Sequence, residues 1–351
     1  MPESRFSIAA MVAFTRDALL ACGVPPADAD IAARQMIEAD LTGFDAHGIV
    51  RLGLYCNWLK SGRVKPKPNI KVLQRSAATA LVDGDDGIGH LVMTHAMNLA
   101  IELARDSGVG WVGARNSNHA GAAGIYPEMA VAQGMIGIYA AVSTLNHMAP
   151  WGGAEPLMGT NPIAFAIPAG EQAPVVLDIA TSLSSFGNIR QHQLSGKPLE
   201  KGWVVHSKTG EPITDPKKVH EGVLLPIGGH KGSGLALMIG LLAGVLNGAA
   251  FGRDVADADG SDPTNTGQFV IALDVSRFIA PEVFAAEMDR HLNDLGSSPV
   301  LAGFDSIRLP GGERRKRRAD RSANGVQLPA ALVRQLGDLA ASLKIQPLAG
   351  R

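Results

Sequence analysis

The sequence predicts an α/β fold with a layered α/β/α core. Apolar residues recur at helical spacing in some segments and form short unbroken runs in others, and the two kinds of segment alternate along most of the chain. The chain has 351 residues, of which 46% are hydrophobic. It can therefore bury a sizeable core and form roughly two domains.

The predicted elements begin with helices and continue with strands. Helices with one apolar face are predicted at 7–22, 26–41 and 90–106. Residues 108–134 are predicted to form a strand, a loop and a helix. Short apolar strands are predicted at 135–143, 161–168 and 174–180. The polar, basic and turn-rich segment 187–220 is predicted to be an excursion from the layered core.

One apolar segment is long enough to cross a membrane. Residues 233–251 contain no charged side chain, and a membrane-spanning helix needs about 20 such residues. We predict a buried helix instead, because the run is rich in Gly and Ala and contains Asn247. Small residues of this kind let helices pack closely in a protein core.

Charge and cysteine content exclude several classes of protein. The formal net charge of -1 provides no general attraction to nucleic acid or to anionic membranes, so neither is expected as a partner. Two cysteines cannot form a disulfide framework, which favours a reducing compartment such as the cytoplasm. The N-terminal segment lacks the pattern of a signal peptide. The histidines and cysteines lack zinc-binding spacing, so no metal is expected.

Gly108, Gly110 and Gly113 match the G-x-G-x-x-G pattern of dinucleotide-binding turns. That turn needs the glycines after a strand and at the start of a helix, where the helix N-terminus meets the pyrophosphate. Here a predicted helix precedes them, and the apolar residues that follow predict a strand. We therefore predict that these glycines do not form a Rossmann turn.

The stretch GFDAHGIVRL places His47 and Arg51 four residues apart. On a helix, two such side chains point the same way, about 5–6 Å apart. An arginine grips a carboxylate with two hydrogen bonds, and a histidine exchanges a proton near neutral pH. The pair therefore fits a 2-oxo acid, in which a carboxylate lies beside a carbonyl. The alternative is a surface histidine and an arginine paired with Asp40 or Asp45.

Further segments place small or polar residues at the ends of predicted elements. They are NSNHAGAAGIY with His119, MGTNPIAFAIP with Thr160, VLDIATS with Asp178, LPIGGHKGSGLAL with Gly228, Gly229 and Lys231, and LPGGERRKRR with Arg314 and Arg315. Small residues let a ligand approach the backbone, and helix N-termini attract phosphate. Together the segments indicate a nucleotide-sized ligand in a cleft.

In this order and spacing, the segments resemble the malate/L-lactate dehydrogenase family of the second type. That family includes sulfolactate and ureidoglycolate dehydrogenases and reductases of cyclic imino acids. The resemblance runs from ADLTGFDAHGIVRLGLY to LPGGERR, almost end to end. It implies a large mixed sheet in a non-Rossmann NAD(P)-binding fold, and a homodimer. The implied domains are a helical, substrate-side domain (1–75 with 303–351), an NAD(P)-binding domain (76–186 with 221–302) and a small excursion (187–220).

The resemblance also implies roles for individual residues. His47 is similar to the family's proton donor, Arg51 to its carboxylate clamp and Thr160 to a substrate-contacting residue; in some members His119 takes the acid–base role. The implied cofactor-binding residues are His119, Ala120, Gly121, Ala122, Ala123, Ser143, Leu177, Asp178, Ile179, Gly228, Gly229, Lys231, Leu309, Pro310, Gly311, Glu313, Arg314 and Arg315. The basic run 314–318 favours NADP, since it can reach a 2′-phosphate. A solvated helix face is the alternative for most of that run.

Two positions depart from the family pattern. Serine usually precedes the first histidine, where this chain has Ala46. In the imino acid reductases an acidic residue completes a Ser–His–Asp relay, and this chain has Asn188 at the matching position. With both partners missing, we expect Asp45 or a water molecule to orient His47.

The predicted activity is NAD(P)-dependent reduction of a small 2-oxo acid to a 2-hydroxy acid, or the reverse oxidation. Hydride from the nicotinamide would reach the carbonyl carbon, Arg51 would hold the carboxylate and His47 would protonate the oxygen. A cyclic imino acid reductase is the alternative activity. A catalytically silent dinucleotide-binding protein is the alternative from another class, and Ala46 and Asn188 are the residues that support it.

Overall fold

A mixed sheet lies at the centre of the computed structural model, which describes residues 4–256 and 262–351. The strands of the described residues are β1 (Ser4–Phe6), β2 (Lys71–Arg75), β3 (Thr79–Asp83), β4 (Val109–Ser117), β5 (Met135–Ala141), β6 (Ile163–Ile167), β7 (Val175–Ile179), β8 (Val204–His206), β9 (Gly222–Leu224), β10 (Thr266–Asp274) and β11 (Val326–Leu328).

Ten α-helices occur within the same described ranges. They are α1 (Ile8–Ala21), α2 (Pro26–Thr42), α3 (Leu52–Ser61), α4 (Gly89–Ser107), α5 (Ile125–Val131), α6 (Phe186–Ser195), α7 (His230–Ala243), α8 (Pro281–Gly296), α9 (Gly312–Asn324) and α10 (Ala330–Leu343). The helices predicted at 7–22, 26–41 and 90–106 agree with α1, α2 and α4 to within one residue. The predicted strands agree with β5, β6 and β7 to within two residues.

The large sheet has seven strands in the order β2-β3-β4-β10-β5-β6-β7. Strands β3 and β4 are parallel, and the other neighbouring pairs are antiparallel. A Rossmann sheet is mostly parallel and is crossed at a switch point between its two halves. The predicted mixed, non-Rossmann sheet is therefore confirmed.

Helices cover both faces of the sheet, as a layered α/β/α core requires. Alternate residues of β10 face opposite ways, because side chains of a strand alternate between the two faces. Val270 and Ala272 pack in one apolar cluster with α4 and α5. Phe269 packs in a second cluster with Ile239 and Ala243 of α7. The core therefore lies in two layers, one on each side of β10.

The two ends of the chain meet in a helical part beside the sheet. Its apolar cluster includes Met11 of α1, Met36 of α2, Leu52 of α3 and Leu336 of α10. Strand β1 pairs with β11 and ties the N-terminal segment to the C-terminal one. Ser7 caps α1 by accepting a hydrogen bond from the Ala10 backbone N–H.

The segment 187–220 contains most of α6 and all of β8, and β8 pairs with β9 just beyond it. It packs around its own apolar cluster, which includes Ile189, Leu199 and Val204. Met148 and Ala236 from the rest of the chain also join this cluster. The excursion is therefore anchored to the layered core by shared apolar contacts.

The three glycines of the false dinucleotide pattern serve packing. Gly108 ends α4 in a left-handed conformation, with φ of 81°. A Cβ at Gly110 would collide with the carbonyl oxygen of Ala100 in α4, and one at Gly113 would collide with the Asn247 side chain. The order is helix, then glycines, then strand, so the prediction that they form no Rossmann turn is confirmed.

The prediction that 233–251 forms a buried helix is wrong in two respects. Helix α7 covers only its first part and ends at Ala243, and a 3-10 turn follows at Val245–Asn247. The small residues face the protein, whereas large apolar side chains lie outside. Those exposed side chains are Leu235, Leu237, Met238, Leu241, Leu242, Val245 and Leu246. Among the described residues, no helix is long and apolar enough to span a membrane.

We expect Gly110→Ala to destabilise the protein by about 1–3 kcal/mol, because the new methyl group would force β4 away from the α4 backbone. Gly337→Ala is the matched control. It lies in α10 with open space where the Cβ would be, so helix propensity should stabilise that variant by up to about 1 kcal/mol. Urea unfolding of the three proteins measures both changes. Equal stability of Gly110→Ala and wild type would contradict the packing role.

Candidate active site

His47 and Arg51 lie in two short turns that follow α2. Helix α2 ends at Gly43, and 3-10 turns run over Asp45–His47 and Ile49–Arg51, with Gly48 between them. The prediction that a single helical turn carries the pair is therefore wrong. Gly48 has φ of -91° and ψ of -145°, so it breaks the helical path.

A buried carboxylate holds these two turns in place. Asp40 is 2% exposed and accepts a hydrogen bond of 2.7 Å from the Ile49 backbone N–H. A Cβ at Gly48 would overlap the Asp40 carboxyl group, so glycine is required there. Burial raises the pKa of Asp40 well above its usual range, and the Ile49 hydrogen bond opposes that rise.

The guanidinium of Arg51 is open to a ligand. Its Nε donates to the carbonyl oxygen of Ala46 at 2.8 Å. Asp45 pairs with Arg321 instead, and Asp40 bonds Ile49, so neither forms the salt bridge that was the alternative for Arg51. Within residues 4–256 and 262–351, no carboxylate forms an ion pair with Arg51. The two terminal nitrogens are therefore available for a substrate carboxylate.

His47 contacts a second histidine. Its Nδ1 lies 3.1 Å from Nε2 of His119, and the two rings stack with centroids 5.2 Å apart. Nδ1 of His119 lies 2.5 Å from the hydroxyl of Tyr55 and accepts a 3.3 Å hydrogen bond from the Gly121 N–H. The structure thus brings both predicted histidines together with Arg51, and adds Tyr55.

Both histidines are neutral at neutral pH. Burial, with a smaller contribution from the nearby Arg51 charge, lowers the pKa of His47 to about 4. Burial also places the pKa of His119 well below its usual range, assisted by Arg51 and His47. A substrate carboxylate on Arg51 would cancel part of this effect, because it neutralises the positive charge that opposes imidazolium.

The relay expected from relatives has no counterpart here. Ala46 packs against Gly187, where an added Cβ would lie 2.6 Å from the Ala46 Cβ. The side-chain amide of Asn188 donates to Ser184 Oγ at 3.1 Å. Asp45 is bound to Arg321, so the expectation that Asp45 orients His47 is wrong. His119 is the side chain that contacts Nδ1 of His47, and it is therefore the group placed to orient that imidazole.

A pocket of about 500 Å³ lies beside Phe44, three residues before His47. Its lining includes many of the predicted cofactor-binding residues, namely Leu177, Asp178, Leu309, Pro310, Gly311, Glu313 and Arg314. The N-terminus of α9 opens into this pocket at Gly312, and Arg308 and Arg317 also line it. Among the residues that sequence reasoning missed, Phe44 and Arg308 have no distinctive spacing that could have revealed them.

Asp178 connects β7 to the small-residue loop 119–124. Its carboxylate accepts a 2.7 Å hydrogen bond from the Gly124 N–H. Burial raises the pKa of Asp178 to about 6, although the Gly124 hydrogen bond and Arg314 act in the opposite direction. Ala120, Ala122 and Ala123 in this loop are buried, so side chains there pack inward.

The other predicted residues lie in separate places. Ser143 follows β5 and donates its backbone N–H to the side chain of Asn161. Thr160 precedes β6, and its carbonyl oxygen accepts a hydrogen bond from the Thr181 hydroxyl. Gly229 lies against Trp151, and Gly228 and Lys231 are exposed beside it. None of these residues lines the pocket at Phe44. Ile179 and Arg315 also lie outside its lining, and Arg315 donates to the carbonyl oxygen of Pro174.

The basic run 314–318 is mostly paired. Arg314 bonds Glu128 and stacks over Phe44, Lys316 pairs with Glu313, and Arg318 pairs with Glu38. Arg317 donates to the carbonyl oxygen of Gly43 and borders the pocket. The run therefore contributes Arg317 to the pocket, with Arg308 from the preceding loop. Arg314 also lines the pocket, but its guanidinium is paired with Glu128.

Fold and site together describe an α/β protein with a histidine pair, an arginine that has no carboxylate partner in the described part of the chain, and a pocket lined by Phe44, Asp178 and the start of α9. The chain belongs to the malate/L-lactate dehydrogenase family, whose model matches residues 6–337. An L-sulfolactate dehydrogenase of Methanothermobacter thermautotrophicus is 37% identical over 335 residues, which is 95% of this chain and 96% of the relative. The solved sulfolactate dehydrogenase from Methanocaldococcus jannaschii has a TM-score of 0.90 at 38% identity and covers 98% of each chain.

Relatives with other named activities are also similar. A solved Δ1-piperideine-2-carboxylate reductase from Pseudomonas syringae has a TM-score of 0.85 at 32% identity, covering 96% of this chain and all of its own. A sulfolactate dehydrogenase of Chromohalobacter salexigens, named for NADP(+), is 33% identical over 93% of this chain and 95% of its own. A ureidoglycolate dehydrogenase of Escherichia coli, named for NAD(+), is 30% identical over 88% of both.

We expect the protein to lose stability in mild acid. The unfolded chain protonates its histidines near pH 6.5, whereas folded His47, His90 and His147 stay neutral down to about pH 4 or below. The unfolded state therefore binds more protons than the folded state between about pH 6.5 and 4. The free energy of unfolding accordingly decreases as the pH is lowered through that window. Asp40 and Asp178 oppose this, since their raised pKa values let the folded state bind protons.

Glu38 and Asp86 oppose the loss as well, since their pKa values are also raised. His95 and His119 act in the same direction as the three histidines above. Five histidines with a lowered pKa then stand against four carboxyl groups with a raised pKa, so the net change should be a loss. Urea unfolding at pH 7, 6, 5 and 4.5 measures it. His90→Gln should reduce the slope, because it removes one group that protonates only on unfolding. A free energy of unfolding that is constant or rises from pH 7 to 4.5 would contradict the burial of neutral imidazoles.

Proposed function

We propose that this protein is an NAD(P)-dependent oxidoreductase that reduces a small 2-oxo acid to a 2-hydroxy acid, or catalyses the reverse oxidation. One observation carries the proposal. Arg51 has no carboxylate partner among the described residues, and it lies one short turn from His47, whose imidazole is held by His119. A carboxylate on Arg51 brings the adjacent carbonyl within reach of a histidine. The family supports the same reaction class.

The residues would divide the work as follows. Arg51 binds the substrate carboxylate with its two terminal nitrogens. His47 holds a proton at Nε2 for the oxygen of the 2-oxo group and takes it back in the oxidation. His119 supports Nδ1 of His47 throughout. When bound, NAD(P)H supplies the hydride that reaches the carbonyl carbon. Thr160 is retained as a predicted substrate contact.

The pocket at Phe44 is our candidate site for part of the dinucleotide. Its volume of about 500 Å³ lies within the usual range for ligand pockets. Gly311 and Gly312 present backbone at the N-terminus of a 13-residue helix, where phosphate is favoured. Arg308 and Arg317 supply positive charge at the same place. We infer a preference for NADP(H), because these two guanidinium groups can bind the 2′-phosphate. Some relatives are named for NAD(+) and others for NADP(+), so both cofactors are tested in the assay.

A cyclic imino acid reductase is the second candidate activity. The similarity to the piperideine-2-carboxylate reductase supports it. Against it, the Asn188 side chain is bound to Ser184 and carries no acid for a relay. A catalytically silent dinucleotide-binding protein remains the alternative from another class.

The activity assay measures NAD(P)H absorbance with pyruvate, oxaloacetate, other 2-oxo acids and the cyclic imines related to proline and pipecolate. We expect turnover with a 2-oxo acid and a lower KM for NADPH than for NADH. Turnover with imines alone would assign the second candidate activity. Cofactor binding without turnover on any substrate would make the protein the silent homologue.

His47→Ala should reduce turnover by about 10²–10⁴-fold while cofactor binding is retained, since a positioned acid contributes that factor. Arg51→Lys should chiefly raise KM for the acid, because the planar fork is lost. Arg334→Lys on the exposed face of α10 is the control. Near-normal turnover of His47→Ala would transfer the acid–base role to His119. An unchanged KM in Arg51→Lys would exclude the carboxylate clamp.

Three further predictions stay with the proposal. The division into a substrate-side helical domain, an NAD(P)-binding domain and an excursion is one. A reducing compartment such as the cytoplasm is another, and the low cysteine content, two in 351 residues, favours it. The third is a homodimer. The exposed apolar side chains of α7 and its following turn support this last prediction, because isolated proteins rarely expose such patches.

Leu242→Asp combined with Leu246→Asp should convert the dimer to a monomer, because the two charges would be buried in the interface. Size-exclusion chromatography with light scattering measures the mass. Val72→Asp, on the exposed edge strand β2, is the control and should leave the dimer intact. A wild-type protein that is monomeric at micromolar concentration would refute the dimer, and a double variant that stays dimeric would move the interface elsewhere.

A further inference from the structure

His47 lacks the serine and acid that orient the matching histidine in imino acid reductases, yet a proton donor needs a defined tautomer. A neutral imidazole has one N–H, on either Nδ1 or Nε2. Only the Nε2–H form can offer a proton to a substrate while Nδ1 faces His119. Some other group must therefore select that form. This inference rests on the proposed function, in which His47 handles the substrate proton.

Tyr55 is placed to make that selection through His119. It lies in α3, one turn after Arg51, and is 1% exposed. Its hydroxyl lies 2.5 Å from Nδ1 of His119 and 3.0 Å from the His119 carbonyl oxygen. Burial raises the pKa of Tyr55, so the hydroxyl keeps its proton and acts as a donor.

A second donor reaches the same nitrogen. The Gly121 backbone N–H points at Nδ1 of His119, at 3.3 Å. A backbone N–H always donates, so Nδ1 of His119 is an acceptor and carries no proton. The proton of His119 then lies on Nε2 and is donated to Nδ1 of His47, 3.1 Å away. His47 is left with its proton on Nε2, as the reduction requires.

The reverse arrangement is disfavoured by the same contacts. If Tyr55 donated only to the His119 carbonyl, Nδ1 of His119 would carry a proton and donate to the Tyr55 oxygen. The Gly121 N–H would then point at a protonated nitrogen and would lose its acceptor. Gly121 lies close against the ring of the buried His90, since an added Cβ would be 2.6 Å from Nε2 of that histidine.

We propose that Tyr55 is a positioning residue: with the Gly121 N–H it holds His119 in the Nε2–H tautomer, and His119 in turn holds His47 in the Nε2–H tautomer. The Tyr55–His119–His47 chain takes the place of the serine and acid that this protein lacks. None of the three is charged before the proton is given up. When His47 gives its Nε2 proton to the substrate oxygen, the His119 proton moves to Nδ1 of His47 and the Tyr55 hydroxyl proton moves to Nδ1 of His119. The negative charge then lies on the Tyr55 oxygen, which the nearby Arg51 charge favours, and the same shifts run backwards in the oxidation.

The first test reads the tautomers directly in the wild-type protein. Histidine labelled with nitrogen-15 distinguishes a protonated from an unprotonated ring nitrogen by NMR, and His47→Asn and His119→Asn assign the signals. We expect both rings to be neutral, with protons on Nε2, near pH 7. A proton on Nδ1 of either ring would overturn the proposal. This measurement does not depend on whether any 2-oxo acid is turned over.

The second test uses Tyr55→Phe, with Tyr139→Phe as the matched control. Tyr139 is also a buried tyrosine, but its hydroxyl contacts Gln268 and neither histidine. Tyr55→Phe should reduce kcat by about 10- to 100-fold in both directions, a part of what a positioned acid contributes. KM for the acid and the cofactor affinity should change little, and a mixture of His119 tautomers should appear. Tyr139→Phe should retain wild-type values.

The outcomes separate the two proposals. Wild-type enzyme inactive on every 2-oxo acid and imine would refute the proposed function, while the tautomer measurement still decides the role of Tyr55. If Tyr55→Phe kept the wild-type kcat and tautomers, the positioning role would be refuted. A Tyr55→Phe variant that lost kcat but showed unchanged tautomers and an unchanged pH profile would also overturn it, since that result indicates only altered packing.

Discussion

The hydrogen bond between the buried Asp40 carboxylate and the Ile49 N–H is the constraint on which the site depends. Helix α2 must stop at Gly43, yet its last turn provides the anchor for the two turns that follow. Gly48 allows the chain to pass close to Asp40, and Arg321 fixes the other side by pairing with Asp45. Through these contacts the core of the helical part sets the positions of His47 and Arg51.

The sheet supplies the second half of the site through the loop after β4. Gly89 at the start of α4 lies directly against the backbone of Asn118 and His119, so α4 and the loop are fitted to each other. Tyr55 then joins the two halves, because it belongs to the helical part and its hydroxyl contacts His119. The site is a junction in which neither half is complete alone.

Sequence reasoning located most elements because their apolar patterns are strong. It also rejected the Gly108–Gly113 pattern correctly, since the order of helix and strand is visible in the sequence. It could not foresee that β10 enters the sheet between β4 and β5, because pairing of segments about 150 residues apart leaves no local signal. It misjudged 233–251, since composition does not reveal which face of a helix is covered.

For the site, His47, Arg51 and His119 were identified from residue chemistry and family resemblance, and the structure places them together. Tyr55 was missed although it lies in the same quoted stretch, four residues after Arg51. A buried tyrosine in a helix is usually a core residue, and only the contact with His119 distinguishes it. The sequence also did not reveal that Asp45 pairs with Arg321 instead of His47, because Arg321 is far away along the chain.

The unpaired guanidinium of Arg51 has a practical consequence. It is half-buried beside two imidazoles that are uncharged at neutral pH, so an anion that enters meets a positive charge weakly screened by water or salt. Such a site does not distinguish one small carboxylate from another at the first contact. Acetate, formate and citrate buffers should therefore compete with the substrate, and a carboxylate-free medium suits any work on this enzyme.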